Sequence, residues 1–212
     1  MNAIPDLRAL GFTSKEIRTL SALRTPQKIQ DFVDAIPANF EPDGDTASSV
    51  LTTLHRQRAH CFEGALVGAL ALWMHGEPPL IVDLKASSDD FDHVIAVFRR
   101  NGRYGAISKT NHAVIRWRDP AYRTLRELVM SYFHEYYNLK FKKSLRSFSR
   151  PLDLSKRRST DWIASEDDLW SLAEDLDRLP HEPLLTKAIE REIKPLSPTE
   201  RAIFKEVEWR KP

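Results

Sequence analysis

The sequence contains a single cysteine, Cys61, among 212 residues, which excludes a disulfide bond within the chain. The sequence also lacks an excess of charge of one sign. The 32 basic residues nearly balance the 30 acidic ones, so the total charge does not favour a nucleic-acid or membrane-surface binder. The segment 1–12 lacks the basic and then apolar pattern of a secretory signal. Together these absences predict a protein of the reducing cytoplasm.

Long hydrophobic runs and glycine-rich loops are missing as well. The longest apolar run, 65–74, has about half of the roughly 20 residues that a membrane-spanning helix needs. The seven glycines form no phosphate-binding loop, and no cysteine and histidine spacing is typical of a zinc site. We therefore expect no membrane contact, no cofactor and no metal.

Hydrophobic residues make up 42% of the whole chain, which suits a globular protein with a core. Helix signals dominate its first third. Two amphipathic stretches, 13–23 and 25–36, each begin with a threonine that can cap a helix. A third helix is predicted to begin at Asp45 or Thr46 and to run to about residue 57.

A fourth helix is predicted over 61–74. It is apolar almost all round, which is typical of a helix surrounded by protein. Gly64 and Gly68 lie four residues apart and share one face. Because glycine lowers helix stability, this pair predicts the close approach of another element, most simply a sheet.

Strand patterns follow at 78–86, 92–98 and 104–110. The dipeptide Asn101-Gly102 between the last two is a strong hairpin signal. A two-residue turn there places Ile95 opposite Ser108. His93 then shares a face with Ser108 as its diagonal neighbour.

The remainder of the chain changes in composition. A helix is predicted over 121–137, and the following segment, 138–158, holds eight basic residues against one acidic residue. This change predicts an N-terminal helical segment, a core and a C-terminal extension with these bounds: 1–44, 45–137 and 138–212. Further helices are predicted in the extension at 165–179, 182–193 and 197–209.

Cys61 stands at the first turn of the apolar helix. The positive end of a helix dipole and the unpaired N–H groups there favour a thiolate, and the same N–H groups can bind an oxyanion. A histidine on an adjoining strand would serve as its base. Glu63 is interpreted as a capping or ion-pairing residue, and a metal site built from His55, His60, Cys61 and Glu63 is disfavoured.

The order of these features resembles the transglutaminase-like branch of the papain-like cysteine fold. The resemblance covers roughly residues 45–115 and rests on HCFEGALVGALALWMHG, PLIVDLKA, DHVIAVF and YGAIS. It implies an α+β fold in which a central helix packs on an antiparallel sheet, with additional N- and C-terminal helices.

The resemblance also implies roles for particular residues. Cys61 takes the place of the nucleophile and His93 that of the base. The family carries an aromatic residue and, four positions later, an aspartate that orients the histidine, whereas here Tyr104 is followed by Ser108. We rank Ser108 first and Asn111 second as the orienting residue.

An oxyanion would be bound by the backbone N–H of Cys61, with Gln57 and His55 as side-chain candidates. By resemblance, the reaction is cleavage of an amide or peptide bond through a thioester, with hydrolysis favoured over transfer to an amine and a protein or peptide as substrate. One alternative is a catalytically degenerate binding or scaffold module that contacts a protein partner through the C-terminal helices. The least favoured alternative is nucleic-acid binding through 138–158, where Phe141 and Phe148 could stack on bases.

Overall fold

The computed structural model describes residues 3–203 and 205–211. Its helices are α1 (Ser14–Ala22), α2 (Pro26–Ala35), α3 (Val50–Arg56), α4 (Cys61–Met74), α5 (Leu125–Met130), α6 (Trp170–Asp177), α7 (Lys187–Glu192) and α8 (Pro198–Ile203). Its strands are β1 (Leu80–Ala86), β2 (His93–Arg100), β3 (Arg103–Ser108), β4 (Arg118–Tyr122), β5 (Leu145–Ser149), β6 (Leu152–Asp153) and β7 (His181–Pro183).

The strands form one seven-stranded antiparallel sheet. Its order is β4-β3-β2-β1-β5-β7, and β6 also pairs with β1. The predicted hairpin register is confirmed, because Ile95 lies opposite Ser108. Asn101 and Gly102 have φ angles of 51° and 75°, the left-handed pair that a two-residue hairpin turn requires. The α+β class is therefore confirmed.

Helix α4 is buried along almost its whole length, as its apolar surface predicts. Every residue from Phe62 to Trp73 is buried. The predicted close approach at the two glycines is also confirmed. A Cβ atom at Gly64 would lie 2.3 Å from Lys109 Cβ, and one at Gly68 would lie 3.1 Å from Ile107 Cγ2. The two glycines thus allow α4 to lie directly on β3 and the residue after it.

The predicted start of α3 at Asp45 or Thr46 is wrong. The helix begins at Val50, and its cap is Ser49, whose side chain accepts a hydrogen bond from Thr52 N. Thr46 has another partner, because its hydroxyl donates to Glu63 Oε1 at 2.9 Å. A contact distant in sequence therefore outweighs a local capping option.

The helix predicted over 121–137 is wrong in its extent. Residues 118–122 form β4 at the edge of the sheet, and only Leu125–Met130 are helical, capped by Thr124. Beyond them, Tyr132 and Tyr136 donate their hydroxyls to distant backbone carbonyls. These tertiary bonds hold the chain in turns where its amphipathic pattern alone favours a helix.

The basic run 138–158 contributes to the sheet. Its residues 145–149 form β5 next to β1, and Leu145 and Phe148 are buried. Phe148 is therefore a core residue and is not displayed for stacking on a base. Of the predicted C-terminal helix 182–193, the first part is β7, which pairs with β5. Among the described residues, no helix is long and apolar enough to cross a membrane.

Candidate active site

Cys61 is the first residue of α4 and lies in a cavity of about 470 Å³. Cys61 is partly exposed as a residue. Residues from five regions line the cavity: the loop before α3, the start of α4, the turn before β2, the segment after β3 and the segment after α5. They include Asn39, His60, His93, Asn111, Ile115 and Tyr136. A cysteine in an open cavity can meet a substrate, whereas one in the middle of α4 could not.

His93 is the first residue of β2 and is 8% exposed. Its Nε2 lies 2.8 Å from the Ser108 hydroxyl, as the hairpin register predicts. The Ser108 hydroxyl donates to the carbonyl oxygen of Ile115 at 2.5 Å, so its own oxygen accepts from His93 Nε2–H. This bonding fixes the tautomer of His93 and leaves Nδ1 to face the thiol.

Ser108 is itself held from both sides by Gln30 of α2. The Gln30 side-chain oxygen accepts from Ser108 N at 2.9 Å, and its amide donates to the Ser108 carbonyl at 2.9 Å. Gln30 is 4% exposed, so these bonds are shielded from water. The end of β3, and with it His93, therefore has a fixed position.

The electrostatics of the cavity favour a thiolate. Burial alone would raise the pKa of Cys61, but the charge of His93 and hydrogen bonds and charge from His60 hold the pKa well below its ordinary value. The helix dipole acts in the same direction. These influences favour the thiolate form of Cys61 over the thiol.

His60 is a second imidazole at the sulfur that the sequence analysis did not assign to the site. It is the N-cap of α4, and its Nε2 lies 3.0 Å from the Thr46 carbonyl oxygen. Its Nδ1 lies 3.3 Å from Phe62 N, from which a neutral ring accepts, while a protonated ring donates to the thiolate. A histidine three residues before a glutamate is the spacing of a capping box, and this signal was available in the sequence.

Glu63 is the carboxylate of this arrangement and is 1% exposed. The predicted capping role is confirmed, since Glu63 Oε2 accepts from His60 N at 3.0 Å. Further donors to it are Asn39 Nδ2 at 3.1 Å, Thr46 Oγ1 at 2.9 Å and Ser48 N at 3.2 Å. Burial alone would raise the pKa of Glu63, but the charge of His60 and these hydrogen bonds lower it. Glu63 is therefore an anion inside the protein.

The charge of Glu63 acts on His60, whose Nε2 lies 3.6 Å from Glu63 Oε1. Burial would lower the pKa of His60, but the Cys61 thiolate and the Glu63 carboxylate outweigh it and raise the pKa to about 9. His60 is therefore an imidazolium at neutral pH.

Asn111, the second-ranked orienting residue, lines the cavity but its amide is engaged elsewhere. Its Nδ2 donates to the Trp209 carbonyl at 2.9 Å, and its Oδ1 accepts from Trp209 N at 2.8 Å. It thus fastens the C-terminal segment to the loop after β3. Ser108, not Asn111, bonds to His93.

Neither side-chain oxyanion candidate lines the cavity. His55 is more than half exposed and pairs with Glu16 at 3.2 Å. Gln57 is exposed and ends α3 in a left-handed conformation with a φ of 51°. The N–H of Cys61 belongs to the first turn of α4, whose N–H groups have no partner within the helix. It remains the candidate oxyanion donor.

No protein-family model matches the chain, and no curated protein matches it either.

Proposed function

We propose that the protein is a transglutaminase-like cysteine enzyme that cleaves an amide or peptide bond through a thioester on Cys61. The observation that carries the proposal is a cysteine at a helix N-terminus in an open cavity, beside a histidine whose tautomer is fixed by Ser108. A papain-like core would likewise carry its cysteine at the start of a helix packed on an antiparallel sheet, as α4 is. Acyl transfer needs a nucleophile and a base whose ring is held in one orientation, and Cys61 and His93 would supply them.

The proposed reaction has two steps, and His93 carries the proton in both. In the first, the Cys61 thiolate attacks the carbonyl carbon, the C–N bond breaks, and protonated His93 gives its Nδ1 proton to the leaving amine. In the second, His93 takes a proton from water, the hydroxide oxygen bonds to the acyl carbon, and the C–S bond breaks to restore the thiolate. An N–H of the first turn of α4, that of Cys61, binds the oxyanion in both steps.

The rim of the cavity suits apolar groups of a peptide. Phe91 and Leu139 are 87% and 78% exposed, and both lie on the rim. Large apolar side chains displayed at a cavity mouth are typical of a substrate-binding edge. We propose peptides with apolar side chains next to the scissile bond as the first substrates to test.

Acylation of Cys61 tests the proposal directly. With p-nitrophenyl acetate, we expect a burst of nitrophenol and an acetyl adduct on the intact protein, because the thiolate attacks activated esters readily. A peptide mixture rich in apolar residues should then be cleaved, with the products read by mass spectrometry. Adding glycine methyl ester separates the two outcomes, since transfer gives an amide product and hydrolysis gives a free acid.

The control variants are Cys61→Ser and His93→Asn, both checked for folding by circular dichroism. We expect no adduct in the first and no peptide cleavage in the second. Peptide cleavage by Cys61→Ser at the wild-type rate would contradict the proposal. So would a folded wild-type protein that forms no acetyl adduct.

A binding or scaffold module on the same fold is the second candidate, and it is favoured by one observation. Ser108 stands where the family carries aspartate, so a hydroxyl and not a carboxylate bonds to His93 Nε2. A module of this kind predicts that Cys61→Ser keeps the biological effect of the protein in its host cell. The enzyme predicts that the same variant behaves like a deletion.

A further inference from the structure

We infer that His60 and Glu63 form an ion pair that holds Cys61 as a thiolate, separately from the His93–Ser108 pair. The inference rests on the proposed function, in which Cys61 is the nucleophile. It goes further by naming the groups that sustain that nucleophile. Glu63 does not touch the reacting atoms and is a positioning residue that acts through His60.

The hydrogen-bond partner of His93 Nε2 is a neutral hydroxyl, that of Ser108. The hydroxyl oxygen accepts from Nε2–H, and the hydroxyl in turn donates to the Ile115 carbonyl. A hydroxyl fixes the ring but does not stabilise an imidazolium as a carboxylate does. Positive charge from a further group therefore adds to the stabilisation of the thiolate by His93.

A carboxylate, that of Glu63, lies beside the second imidazole, His60. Glu63 is buried, accepts hydrogen bonds from Asn39, Thr46 and two backbone N–H groups, and lies 3.6 Å from His60 Nε2. A buried, fully bonded anion strongly favours the protonated form of a neighbouring imidazole. His60 is thereby fixed as a cation next to the sulfur.

The other charged groups around His60 act in the same direction. Glu41 Oε1 lies 3.7 Å from Nε2, with its side chain one-third exposed, and the Thr46 carbonyl oxygen accepts from the same nitrogen. The charge of His93 also lowers the pKa of Cys61. The Phe62 N–H, 3.3 Å from Nδ1, favours the neutral ring, and the carboxylates of Glu63 and Glu41 oppose it.

Glu63→Gln tests the inference through the pH dependence of Cys61 alkylation by iodoacetamide. Glutamine keeps the capping-box geometry but removes the charge. His60 then loses its proton at lower pH, and the acid limb of the alkylation rate is expected to move up by about one pH unit or more. His60→Asn, which keeps an N-cap, should move the limb in the same direction.

The matched control is Glu16→Gln. Glu16 is also a capping-box glutamate that pairs with a histidine, His55, but it belongs to α1 and not to the site. We expect the control to leave the acid limb where the wild type has it. An unchanged limb in folded Glu63→Gln and His60→Asn would overturn the inference.

A titration of the wild-type protein by NMR does not depend on whether either variant folds. We expect the His60 ring to stay protonated through neutral pH and to lose its proton near pH 9. Loss of the proton near pH 6.5, the ordinary histidine value, would overturn the inference. Alkylation and the NMR titration need no substrate. Their results therefore test the ion pair even if the acyl-enzyme test fails.

Discussion

His93→Asn is expected to slow alkylation of Cys61 by iodoacetamide at pH 6.5 by about tenfold. The charge of His93 is the strongest influence that lowers the pKa of Cys61, so its removal raises that pKa. A thiol with an ordinary pKa of about 8.5 is roughly 1% thiolate at this pH. The remaining charge of His60 and the greater intrinsic nucleophilicity of a less acidic thiol offset part of that loss. Because Cys61 is the sole cysteine, the mass of the intact protein reports its alkylation alone.

His134→Asn is the matched control for this experiment. His134 is exposed and does not line the cavity, so the same substitution there should leave the alkylation rate unchanged. Equal rates for wild type, His93→Asn and His134→Asn would show that His93 does not act on the sulfur. A slow rate in both variants would point to a general effect of removing histidine.

Gly64→Ala is expected to destabilise the protein by about 2–3 kcal/mol despite the better helix propensity of alanine. The new Cβ would lie 2.3 Å from Lys109 Cβ and 2.9 Å from Lys109 Cγ. Lys109 cannot swing away, because its Cβ is fixed to the backbone and its amine donates to the carbonyl oxygens of Ile36 and Asp34. Relief therefore requires α4 and the end of β3 to separate.

Gly68→Ala is the matched substitution on the same face of α4. Its Cβ would lie 3.1 Å from Ile107 Cγ2, the end of a side chain that can adjust by a few tenths of an ångström. We expect a change in the free energy of unfolding of less than about 1 kcal/mol, since the gain in helix propensity offsets the strain. Equal thermal denaturation midpoints for the two variants would contradict the packing described here.

The effect of Gly64→Ala should also reach the site, because Lys109 directly follows Ser108. A shift of β3 changes the distance from Ser108 to His93, which is 2.8 Å in the wild type. We expect the folded fraction of this variant to show slower alkylation of Cys61. Gly68→Ala should keep the wild-type rate.

The sequence predicts best those features whose causes are local. Helix α4 follows from a continuous apolar stretch, and the β2–β3 register follows from the Asn101-Gly102 turn. Both place the parts that matter most: Cys61 at the start of a buried helix, and His93 beside Ser108. The close approach at Gly64 and Gly68 could also be predicted locally, because two glycines on one helix face lower helix stability unless another element packs there.

What the sequence did not predict depends on contacts distant along the chain. Ser108 gains its acceptor, the Ile115 carbonyl, only because the loop after β3 turns back with a φ of 60° at Ile115. Gln30 reaches Ser108 from a helix 78 residues earlier. The predicted helix over 121–137 failed because Tyr136 bonds to the carbonyls of Leu84 and Phe91 across the sheet. No local pattern encodes these partners.

His60 lies between these two cases. Its position before Cys61 and its spacing from Glu63 are local, and they match a capping box with histidine in place of serine or threonine. Its charge is not local, because the burial of Glu63 depends on Asn39 and Thr46 from the loop before α3. The residue could be named from the sequence, but its role needed the fold.

The pH dependence of alkylation of wild-type Cys61 tests the central claim most directly. Because the pKa of Cys61 is lowered in the folded protein, the thiolate is present at neutral pH and is lost only as the pH falls through that lowered pKa. The account predicts a rate that is already close to its maximum at about pH 6.5 and nearly flat to about pH 8. A rate that rises tenfold with each pH unit through this range, as for a free thiol, would contradict it.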